Sequence, residues 1–132
     1  MRIKPFDGRV SVEAEASVNP TESWEKVMQA VCNIILGAET EYAGGYIKAS
    51  ANDVASLYKI YEQIRVRQTA GVAKRLLQEN SSGDSTWVYL NKQAAYIGVV
   101  AFCEEPDESP LGPILVKIYS DRLDELINWL TR

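Results

Sequence analysis

Asn91-Lys92-Gln93 sets an amide, an ammonium and a second amide on successive residues, directly after an apolar strand pattern. At a strand end such a triplet can donate to an oxyanion, a phosphate or a base edge. The same side chains can equally satisfy the backbone of a tight turn. A second concentration of donors runs from Lys59 to Arg75, where Arg65, Arg67, Lys74 and Arg75 are opposed only by Glu62. On a continuous helix Arg67 and Lys74, seven apart, share one face with Lys59 close by, and such a stripe can contact phosphates. A solvated helix face, its arginines paired with nearby acids, is the plainer account. A third group, Glu104, Glu105, Asp107 and Glu108, crowds one loop and could hold a hard cation. A solvated acidic loop needs no ion. Glu13 and Glu15 share the outer face of a strand pattern and could form an acid pair.

Much chemistry is excluded. The 132 residues include no histidine, so imidazole bases and ligands are absent. Cys32 and Cys103 lack the close spacing of a zinc or redox pair, and read as two buried free thiols in a reducing cytosol. No glycine-rich phosphate loop occurs; Gly44-Gly45 joins two strand patterns and reads as a hairpin turn. The net charge of −4 argues against gripping nucleic acid with the whole surface, yet leaves room for a local basic patch. Apolar runs are only a few residues long, so no membrane span is expected, and no apolar stretch follows the amino-terminal charges as in a secretory signal. The chain reads as cytosolic, without a cofactor, and as a binding or structural module rather than an enzyme.

The elements that must carry these groups follow from periodicity. Val10, Val12, Ala14, Ala16 and Val18 alternate with polar residues, predicting a strand with one wet face. Asn19, Pro20 and Glu22 suit the cap and first turn of a helix to about Leu36, with Trp24, Val27, Met28, Val31, Ile34 and Ile35 as its apolar stripe and Gly37 as its stop. Short strands are expected at Glu39 to Tyr42 and Tyr46 to Ala49. A helix begins at Asn52 or Asp53 and continues or kinks near Gly71. Thr86 to Leu90, Ile97 to Phe102 and Ile114 to Ile118 read as strands, and Ser120 or Asp121 as the cap of a last helix. Trp87, Tyr89, Tyr96, Phe102 and Tyr119 raise the idea of base stacking on an open sheet, although cross-strand packing accounts for most of them.

Three segments carry a family resemblance: Leu90-Asn91-Lys92-Gln93-Ala94-Ala95-Tyr96-Ile97-Gly98, Glu108-Ser109-Pro110-Leu111-Gly112-Pro113-Ile114, and Ile127-Asn128-Trp129-Leu130. With the opening Val12-Glu13-Ala14 and Asn19-Pro20-Thr21-Glu22, the chain resembles a family of small, mostly archaeal, uncharacterised proteins carried under an RNA-binding label. The resemblance implies a fold like that of the ribosomal protein that binds the small structural RNA of the large subunit. It brings no catalytic residues. The chain departs from the family pattern at Asn128, where aspartate is usual, at Gly71, where an acid is usual, and at Thr131-Arg132.

The expectation is one α+β domain over residues 1–132, a two-layer structure with a mainly antiparallel sheet of about five to six strands and about three to four helices on one face. Its expected function is RNA binding through Arg65, Arg67, Lys74, Arg75 and the Asn91-Lys92-Gln93 turn. The alternative is a protein-interaction or assembly module, such as a homodimer, with no nucleic-acid role.

Overall fold

Alternation of small apolar and polar residues makes β1 (Val10–Ser17) the centre of the sheet in the computed structural model, which describes residues 3–132. The chain continues through α1 (Trp24–Ile34), β2 (Glu39–Ala43), β3 (Tyr46–Ala51), a 3₁₀ turn, α2 (Tyr58–Val66), α3 (Ala70–Glu79), β4 (Ser85–Leu90), α4 (Lys92–Tyr96), β5 (Phe102–Cys103), β6 (Ile114–Ser120) and α5 (Leu123–Thr131). The strands lie in the order β2-β3-β1-β6-β4-β5, and every pairing is antiparallel. This is the two-layer α+β arrangement that the element order predicts.

One sheet face is the core. Val12, Ala14 and Ala16 of β1, Ile47 of β3, Val116 and Ile118 of β6 and Val88 of β4 are all buried. Val27, Val31 and Ile34 of α1, Ile60 and Ile64 of α2, Leu77 of α3 and Leu126 and Leu130 of α5 join them in one cluster. Burying each large aliphatic side chain contributes about 1.5–3 kcal/mol, which is what holds the helices on this face. Among the described residues no helix covers the opposite face, which presents Glu13, Glu15, Lys48, Lys117 and Tyr119.

The β2–β3 hairpin turns through Gly44 (φ 61°) and Gly45 (φ 79°), both in the left-handed region that a two-residue hairpin turn of this hand requires. Elsewhere the local signals mislead. Ser23, not Asn19, caps α1: its hydroxyl accepts from the Lys26 N–H. Asn19 is instead the first corner of a turn, in which Glu22 Oε1 accepts from the Asn19 N–H (3.0 Å) and amide (2.7 Å). Neither Ser120 nor Asp121 caps α5. Their oxygens accept from the N–H groups of Arg122 and Arg9, respectively, and Arg122 precedes the helix without a side-chain cap. The expected strand from Ile97 shrinks to Phe102–Cys103, because Asn91 starts a helix and Gly98 (φ 81°) breaks extended geometry; Ile97 is left 75% exposed. Cys103 is buried as expected, but Cys32 is exposed. No helix among the described residues is long and apolar enough to cross a membrane.

Candidate nucleic-acid interface

The helix expected to carry a basic stripe is broken. Past Val66 the chain passes through Gln68 at φ 55° before α3 begins at Ala70, so Arg67 and Lys74 belong to different helices and share no continuous face. Left-handed backbone at a residue other than glycine marks a real interruption of the helix.

The seven candidate donors divide into two sets. Arg67 and Lys74 are exposed and have no ion-pair partner among the described residues. Arg75 is also exposed and reaches both Glu79 (3.5 Å) and Glu104, whose own side chains are about half exposed. Together with Trp87 and Tyr89 of β4, Arg75 lines a depression of about 440 Å³ at the β4 side of the molecule. The two rings meet edge to face, with centroids 5.0 Å apart. Glu79, Glu104 and Glu105 line the same depression.

The other four are engaged by the protein's own backbone and side chains, although Gln93 stays exposed. Arg65 Nη1 donates to the carbonyls of Tyr61 and Leu130, and Nη2 to those of Trp129 and Arg132, at 2.9–3.1 Å. The guanidinium also lies 3.3 Å from the centroid of the Tyr61 ring. Asn91 caps α4 by accepting from the Ala94 N–H at 2.8 Å, and Gln93 donates to the Pro110 carbonyl at 2.8 Å. Lys92 is only 3% exposed. Its Nζ donates to the carbonyls of Ser17 (2.7 Å) and Leu111 (2.8 Å) and to Glu22 Oε1 (3.0 Å). Its backbone N–H donates to Ser109 Oγ. Burial pushes the Glu22 carboxyl up, but hydrogen bonds from Asn19 and then Lys92 outweigh this and hold it below the ordinary carboxylate value.

The segments that carry the family resemblance therefore meet in space. Asn19 to Glu22, Asn91 to Gln93 and Ser109 to Gly112 converge on one ammonium group, with Leu111 (φ 64°) and Gly112 (φ 91°) bent to aim a carbonyl at it. Ile127-Asn128-Trp129-Leu130 supplies two of the carbonyls held by Arg65. The acidic loop is likewise occupied with itself: Glu108 accepts from the N–H groups of Glu104 and Glu105, and Glu104 pairs with Arg75. Among the described residues, no cluster of three or more Cys, Asp or Glu is placed to hold a metal ion. What the sequence reading missed is the nearness of Arg75 to Trp87 and Tyr89. Its only trace was the alternation of Trp87 and Tyr89 on the wet side of β4.

A family model described as RNA binding matches residues 11–119. The chain is 41% identical over 123 residues to a UPF0201 protein of Thermococcus kodakarensis, covering 90% of this chain and 87% of that one. It is 39% identical over 119 residues to a UPF0201 protein of Methanothermobacter thermautotrophicus, covering 90% and 89%. The crystal structure of a UPF0201 protein from Methanococcus jannaschii superposes with a TM-score of 0.75 at 29% identity, over 94% of this chain and 99% of that chain. A further UPF0201 crystal structure reaches a TM-score of 0.80 at 26% identity, over 92% of each chain. With relatives of this identity along nearly its whole length, the chain belongs to the UPF0201 family of archaeal proteins.

Proposed function

We propose that this protein binds RNA, with Lys74 and Arg75 of α3 and Arg67 beside the helix break as phosphate contacts, and Trp87 and Tyr89 as a stacking surface next to them. The observation that carries this reading is the shared depression of Arg75, Trp87 and Tyr89 at the β4 end of the sheet, beside α3. The RNA-binding description of the family model supports it. An exposed ion pair contributes only about 0–1 kcal/mol, so Arg75 can exchange Glu79 and Glu104 for a phosphate at small cost. Aromatic stacking contributes about 1–3 kcal/mol per base and suits single-stranded RNA of mixed sequence. The carboxylates around the depression and the net charge of −4 imply weak binding that falls steeply with salt. Asn91, Lys92 and Gln93 serve this function indirectly, by building the frame behind the sheet.

Fluorescence anisotropy with single-stranded RNA, structured RNA and duplex DNA across a salt series tests the reading. Lys74→Glu with Arg75→Glu is expected to weaken RNA binding more than about tenfold, and Trp87→Ala by about fivefold or more. Glu104→Gln is expected to strengthen binding, because it releases Arg75. No binding at low salt, or unchanged affinity in the double α3 variant, overturns the proposal.

A further inference from the structure

Strand β2 is a free edge. It pairs with β3 alone, its five residues are nearly all exposed, and its outer backbone groups have no partner among the described residues. The two faces of this edge differ sharply. Glu39 and Glu41 lie on the uncovered face, in register with Ser50 and Lys48 of β3 and, one strand further, with Glu13 and Glu15 of β1. Together these groups line a concavity of about 440 Å³. Thr40 and Tyr42 lie opposite Ala49 and Ile47 and so point to the helix side. There Tyr42 stacks on Trp24 of α1, with centroids 5.3 Å apart, and both rings remain more than 40% exposed.

We infer that β2 is a docking edge for an extended segment of a partner protein in which basic and apolar residues alternate. A strand added to this edge gains main-chain hydrogen bonds, while its alternate side chains fall on opposite faces. On one face they meet the carboxylates of Glu39 and Glu41; on the other they meet the Trp24–Tyr42 pair. Charge disfavours a second copy as the occupant in the registers centred on Glu41, which overlaps the strands fully, and on Thr40. Antiparallel pairing of two β2 strands centred on Glu41 sets Glu41 against itself, and centring on Thr40 sets Glu39 against Glu41, and like charges directly opposite are unfavourable. The pattern asks for lysine or arginine at every second position. It does not depend on the RNA reading, which concerns the other end of the sheet.

The test uses the whole chain and a short, blocked, fluorescent peptide alternating lysine with valine. The peptide is expected to bind, and Glu39→Gln with Glu41→Gln to weaken it about threefold to tenfold. Tyr42→Ala should weaken it similarly, whereas Glu105→Gln with Asp107→Asn, the same loss of charge elsewhere, should leave it unchanged. A peptide N-methylated at alternate residues, which cannot pair along its edge, should fail to bind. The inference is overturned if a peptide of the same composition with its lysines and valines in separate blocks, or the N-methylated peptide, binds equally well, if the acidic-loop variant weakens binding as much as the β2 variant, or if no peptide binds at low salt. In that last case the acids of β2 serve only to keep a bare edge from aggregating.

Discussion

Lys92→Met is expected to destabilise the fold by about 3–5 kcal/mol, read as a lower urea midpoint with an unchanged slope. The size follows from what is left behind. Methionine fills much the same space, but Glu22, whose side chain is only 10% exposed, loses its cation, and the carbonyls of Ser17 and Leu111 lose their donor. Breaking one side of a buried pair costs far more than the pair's net contribution, because the remaining charge stays desolvated. Pairing Lys92→Met with Glu22→Gln should therefore cost less than the sum of the single changes. A strictly additive cycle would mean that Lys92 acts through the two carbonyls alone.

The same cluster sets an acid limit. Because the folded Glu22 carboxyl titrates below its unfolded value, its contribution is fully present above about pH 4.3 and is lost as pH falls through the lower folded value. The stability difference between the native chain and Glu22→Gln should accordingly shrink on acidification below that pH. A difference that stays constant down to pH 2.5 or so would show that Glu22 gains nothing from its charge.

The elements whose evidence is local were legible from residue order. Period-two alternation in β1, the Gly44-Gly45 turn and the stripe of Val27, Val31 and Ile34 in α1 each sit within one turn or strand of their cause, and each stands where expected. The site residues were not legible, because their partners are distant in the chain. Lys92 is 75 residues from Ser17 and 70 from Glu22. A basic residue between two amides looks like a surface donor until those carbonyls are seen to fold over it. The α2–α3 break fell between these cases. Gly71 drew attention to the right segment, but the turn uses Gln68, which carries no turn signature. The segments that carry the family resemblance are those that meet around Lys92 and Arg65, where they build the frame of the fold.

Arg65 separates frame from surface most sharply, since its place in a basic run suggested a phosphate contact. Arg65→Ala is expected to cost about 2–4 kcal/mol, because the Tyr61 carbonyl within α2 and three carbonyls at the carboxy-terminal end of α5 lose a charged donor, and α5 loses the cation that complements its carboxy-terminal dipole. Stacking over Tyr61, itself 4.7 Å from Trp129 between centroids, adds to the loss. Arg65→Lys keeps the charge, yet a single ammonium cannot span carbonyls that the planar fork reaches from two nitrogens, so about 1–2 kcal/mol should still be lost. Because Arg65→Lys leaves most of the stability in place, it can be assayed with RNA at a temperature where the chain is folded. RNA affinity should then match that of the native chain within about twofold, whereas reversal at Lys74 and Arg75 is expected to weaken binding more than about tenfold. A clear loss of RNA affinity in Arg65→Lys would instead place this guanidinium among the phosphate contacts, since an ammonium cannot replace its bidentate fork, and would move the interface from α3 toward the α2–α5 end of the helical layer.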